Sequence, residues 1–120
     1  IPAIENFSPD LIIVACGYDA SAIDPMARML ATAKTFKQMT QQIKDLSKRI
    51  CRGKLVLVHE GGYSEAYVPF CGHATIQALS GSAITAPDPF AETFNVRQPS
   101  PRFDAFLLNE IDRMAQILDL

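Results

Sequence analysis

Leu55-Val56-Leu57-Val58-His59-Glu60-Gly61-Gly62-Tyr63 joins four consecutive branched apolar residues to a glycine pair and a tyrosine. An apolar run too short for a helix, bounded by turn residues, reads as a strand buried on both faces, the usual form in a parallel sheet. Gly61 and Gly62 carry no Cβ, so the chain can turn sharply there and bring its backbone close to a ligand. Tyr63 is thereby carried at the carboxyl end of a strand, where open α/β folds place their chemistry. A second run, Leu11-Ile12-Ile13-Val14-Ala15-Cys16, ends in Gly17-Tyr18-Asp19 and sets a carboxylate at an equivalent edge.

Between the two runs, Thr32 is a candidate N-cap for a long helix over residues 33–51. Phe36, Met39, Ile43, Leu46 and Ile50 recur at spacings of three and four, forming one stripe to lie on a sheet. Gly53 closes the helix just beyond its C-cap. Strand, helix, strand is a βαβ crossover, right-handed in nearly all cases, so the strands are expected to be parallel. Asp19 and Tyr63 then emerge from the same sheet edge. The expected fold is α/β, a parallel sheet with helices on both faces.

A further helix is expected over residues 64–79, kinked or restarted at Pro69 and ended by Gly81. Residues 82–99 hold Pro87, Pro89 and Pro99 and read as irregular. Ser100-Pro101 opens a last helix, with Phe103, Phe106, Leu107, Ile111, Met114 and Leu118 expected on its buried face. Residues 1–7 read as the tail of a helix with no initiator Met, so residues 1–120 are expected to be the C-terminal part of a larger domain.

The net charge of −2 shows no basic footprint for nucleic acid. Lys44, Lys48, Arg49, Arg52 and Lys54 are interrupted by Asp45 and read as a solvated helix face. No apolar run reaches the length of a membrane span. Cys16, Cys51 and Cys71 make an odd number with no Cys-x-x-Cys, which fits reduced thiols in a cytoplasmic protein.

Taken one at a time, the polar residues leave several roles open. Asp19 can ligate a metal, act as a base, or cap its own loop, the commonest role of an Asp in such a place. Asp24, before Pro25, reads as a turn-fixing residue. Tyr63 is either a surface-packed aromatic or, beside a Lewis acid, a phenol that donates to a developing oxyanion. His59 and His73 read as structural, since neither forms a metal-binding pair.

With Gly17-Tyr18-Asp19-Ala20, Asp24-Pro25-Met26 and His59-Glu60-Gly61-Gly62-Tyr63 in this order, the chain resembles the histone deacetylase superfamily. It looks most like the class II branch and its bacterial histone-deacetylase-like amidohydrolases, and the similarity extends through Tyr67-Val68-Pro69-Phe70-Cys71-Gly72. The resemblance implies an arginase/deacetylase-like fold of which only the C-terminal portion is present. It implies Asp19 as a zinc ligand, Tyr63 as the oxyanion-stabilising catalytic residue, and Met26 at the mouth of an acyl channel. Gly61 and Gly62 are expected to border the substrate. Met26 stands where the family usually has Leu, and Tyr18 where Phe is common. Tyr63 is retained, unlike in the weakened subgroup that carries His.

The family's other zinc ligands, an Asp and a His two residues apart, and its His-His base pair do not occur in these 120 residues. One carboxylate cannot hold Zn²⁺, so the chain alone is expected to be inactive and the intact protein to be a zinc-dependent deacetylase. The substrate implied is an acylated amine, an N-acetyl-lysine side chain or an acetylpolyamine. No nucleic-acid or membrane partner is expected, and a homo-oligomer is compatible with the sequence. The competing readings are a Mn²⁺-dependent ureohydrolase of similar architecture and a non-catalytic α/β binding module.

Overall fold

The computed structural model describes residues 1–27 and 29–120. A short helix α1 (Pro2–Phe7) leads into strand β1 (Ile12–Cys16), which runs parallel to β2 (Leu55–His59). Ile12 stands opposite Leu55 and Cys16 opposite His59. Backbone pairing continues beyond the strands: Glu60 N–H donates to the Cys16 carbonyl at 3.3 Å, and Tyr18 N–H to the Gly61 carbonyl at 2.7 Å. The two glycine-containing loops are therefore stitched together at one edge, as the crossover rule requires.

Helix α2 (Ala33–Ile50) makes that crossover. Thr32 caps it, with Thr35 N–H donating to the Thr32 hydroxyl and Thr32 N–H to the Thr35 hydroxyl. It ends in two left-handed residues, Arg52 (φ 58°) and Gly53 (φ 77°), and Gly53 N–H returns to the Ser47 carbonyl. Phe36 and Leu46 are buried as the stripe requires, but Met39 is half-exposed while the small Thr40 and Ser47 are buried. The buried face is rotated because α2 packs against a second helix as well as the sheet, and close helix packing favours small side chains.

That second helix is α3 (Val68–Ser80). Pro69 sits in its first turn and so opens it, where a missing N–H costs nothing; residues 64–67 form a separate turn. Ile12, Val14, Leu55 and Cys16 meet α2 and α3 on one sheet face. On the other face Ile13, Val56 and Val58 are exposed. The parallel sheet with packed helices is as expected, and the chain's own α2 and α3 cover one face of it.

The segment expected to be irregular contains a short helix α4 (Ala91–Asn95), anchored by the buried Phe94. Tyr67, fully buried, ties this segment to the body: its hydroxyl donates to Asp88 at 2.6 Å and accepts from Ala33 N–H at 3.0 Å. Beside it, burial pushes the Cys71 thiol up to about 12, helped by Asp88, so this cysteine is an inert filler. All three cysteines are free.

The last helix, α5 (Pro101–Ile117), begins at Ser100 as expected, but its expected buried face is corrected by the structure. Phe103, Phe106, Leu107, Ile111, Met114 and Leu118 are all exposed, and no residue of α5 is buried. Amphipathic spacing shows that a stripe exists and leaves open what covers it. Among the described residues no helix is long and apolar enough to cross a membrane.

Candidate active site

The carboxyl ends of β1 and β2 bring Asp19 directly against the glycines of both loops. A Cβ added to Gly17 would lie 2.5 Å from Asp19 Oδ1, and one added to Gly61 would lie 2.6 Å from Oδ2. A methyl at either position would displace the carboxylate, which nests between the two backbones because both lack a Cβ. Gly62 has φ 135°, and a Cβ there would press on Tyr18 and Val68 at 3.0 Å. Among the described residues no donor hydrogen-bonds to the Asp19 carboxylate, so the loop-capping role open to it in sequence is not the one it plays here.

Tyr63 follows the glycines on the same edge. The residue is 58% exposed, and its N–H donates to Asp24 Oδ2 at 2.8 Å. Met26 is 74% exposed at the rim of the neighbouring loop. Its N–H donates to Asp24 Oδ1 at 2.8 Å, with Ala27 N–H on the same oxygen at 3.3 Å.

Asp24 is thus more than the turn residue that its place before Pro25 suggests. Burial raises its pKa, but the N–H groups of Tyr63, Met26, Ala27 and Ser64 outweigh that and hold the carboxyl below its usual value. The Asp-Pro-Met sequence signalled the local half of this network. The half that reaches Tyr63 spans 39 residues and had no local signal.

His59 is exposed, its ring 5.0 Å from that of Tyr18, and His73 is half-buried on α3. Tyr18 in turn packs edge-on against Phe36 at 5.2 Å, and burial keeps its phenol neutral by raising its pKa. Two apolar depressions, about 360 and 430 Å³, lie beside α2 and α3, and neither is lined by Asp19 or Tyr63. Both residues lie in the loops beyond the carboxyl ends of β1 and β2.

Among the described residues no three His, Cys, Asp or Glu side chains converge on a point. The donor-free carboxylate of Asp19 fits a metal as one hard oxygen ligand, and a catalytic zinc centre takes three protein ligands. The described residues do not by themselves make up such a centre.

A carboxylate cradled by two strand-end glycines, with a tyrosine on the adjoining loop, thus marks the carboxyl edge of this parallel α/β sheet. The sequence pattern of the histone deacetylase domain matches residues 1–79, and the chain belongs to that family. It is 46% identical to a histone deacetylase-like amidohydrolase of Pseudomonas aeruginosa over 96% of its own length and 30% of that protein's. It is 33% identical to a probable deacetylase of Archaeoglobus fulgidus over 72% of its length and 25% of that protein's. The crystal structure of an HDA15 HD domain superposes with a TM-score of 0.61 at 30% identity, over 81% of this chain and 26% of that one. The chain thus spans less than a third of each of these relatives.

Proposed function

We propose that this chain forms the Asp19–Tyr63 edge of a zinc-dependent amidohydrolase that removes acyl groups from N-acetyl-lysine or acetylpolyamine-type amines. The observation that carries the reading is the Asp19 carboxylate. It nests against Gly17 and Gly61, accepts no hydrogen bond from the described residues, and sits on the edge from which Tyr63 extends. The family and the amidohydrolase relatives support the same class of chemistry.

Asp19 would hold the metal as one of its ligands, the others and the general base coming from outside these 120 residues. When bound, the zinc ion supplies Lewis-acid polarisation of the acyl carbonyl and of the attacking water. The Tyr63 hydroxyl donates a hydrogen bond to the oxyanion as the carbonyl becomes tetrahedral. Gly61 and Gly62 let the backbone approach the acyl group, and Met26 borders the entrance with a flexible thioether chain. The chain alone, with one ligand, is inactive.

Tyr63→Phe in the complete catalytic domain tests this reading, because it removes a single hydroxyl from an exposed ring. Turnover of an acetyl-lysine peptide should fall by roughly 10²–10³, as for loss of one oxyanion donor. KM should change far less, since the contact forms only in the transition state. Turnover within a few-fold of wild type, with metal still bound, removes Tyr63 from the mechanism.

A further inference from the structure

We propose that Asp24 is the positioning residue for Tyr63, one carboxylate oxygen fixing the tyrosine's backbone and the other fixing the turn that carries Met26. This rests on the reading of Tyr63 as the oxyanion donor.

Tyr63 has little else to orient it. Its ring is exposed, and the two residues before it are glycines without side chains to pack. The position of the side chain's root and its Cα–Cβ direction therefore follow from the backbone at position 63, and the N–H there is held by Asp24 Oδ2 at 2.8 Å. The carboxylate itself is firmly seated. Asp24 is 6% exposed, and its N–H donates to the carbonyl of the fully buried Ser21 at 3.2 Å. Ser21 lies between Ala20 and Ala22, both hydrogen-bonded to Ala31 beside the cap of α2. The tyrosine is thus referenced to the N-terminus of α2 through one side chain.

The division of labour needs a carboxylate. Each oxygen serves a different loop, and both accept from N–H groups, a charge-assisted arrangement stronger than a neutral one. An asparagine offers one oxygen and one NH₂, so it can serve the Tyr63 side or the Met26 side but turns a donor toward the other. Asp24→Asn therefore uncouples the catalytic phenol from the channel entrance with almost no change of shape.

The test is a double-mutant cycle in the complete catalytic domain, with Asp24→Asn made in wild-type and Tyr63→Phe backgrounds. In wild type, kcat should fall roughly tenfold to a hundredfold with KM within a few-fold, the effect of misplacing a catalytic group. In the Tyr63→Phe background the same change should lower kcat by less than about twofold, because the hydroxyl it positions is already gone. An equal loss in both backgrounds, or an effect confined to KM, overturns the proposal and leaves Asp24 as the holder of the Met26 turn. If Tyr63→Phe alone leaves turnover intact, the reading of Tyr63 fails first and this proposal with it. Should Asp24→Asn not fold, hydrogen exchange in the wild-type protein decides: protected Tyr63 and Met26 amides support the coupling, and a freely exchanging Tyr63 amide overturns it.

Discussion

The loop leaving β1 carries two aspartates five residues apart, and their surroundings are opposite. Asp24 is buried, with both oxygens taken by N–H groups of two loops. Asp19 is pressed between the backbones of Gly17 and Gly61 with no donor among the described residues. A fold that spends every oxygen of one carboxylate on its own backbone uses it as a fastener. The second carboxylate, brought to a two-glycine cradle and left without donors by the described residues, is not used that way.

The largest expected effect tests Asp19. In the complete catalytic domain Asp19→Ala should reduce deacetylation to background and metal content, measured by elemental analysis, well below that of wild type. Thermal unfolding of the metal-free protein should stay close to wild type, as no hydrogen bond is lost. Full metal occupancy in the variant would erase the distinction between the two aspartates.

Gly61→Ala sharpens it at a smaller scale. The new methyl would lie 2.6 Å from Asp19 Oδ2, so the carboxylate must move. Displacement of a catalytic ligand by about 1 Å costs on the order of 10²-fold, read as kcat/KM on an acetyl-lysine peptide. The Asp24 network, whose hydrogen bonds involve neither Gly61 nor Asp19, should keep its protected amides.

The smallest effect is acid sensitivity, and it belongs to Asp24. Its folded-state pKa is depressed, so its contribution is fully present above the unfolded value of about 3.9 and is lost as pH falls through the lower folded value. Unfolding followed down the acid limb should show a component that disappears in Asp24→Asn. An unchanged acid limb in that variant would mean the carboxylate is not held by the N–H groups that surround it.

Much of the scaffold was legible in short-range pattern. Four branched residues before Gly61-Gly62, a Thr32 cap and Gly53 at the end of a helix are features that neighbouring residues decide, and the structure places all three accordingly. Pro69 opened a helix instead of kinking one because the preceding residues, Ser64 to Tyr67, close their own turn first. Asp19 and Tyr63 were brought to one edge by the handedness of a single crossover.

Sequence by itself determined the two strands, their parallel order, the caps and the glycines, since each depends on backbone sterics and periodicity within a few residues. Tertiary structure alone decided the longer-range matters. Tyr67 bridges Ala33 and Asp88, and Asp24 reaches Tyr63 across 39 residues, because those partners meet only once the crossover is closed. The same holds for the exposed stripe of α5 and the bare sheet face of Ile13, Val56 and Val58. Periodicity marks a surface as apolar, but whether that surface is covered depends on which other elements fold against it.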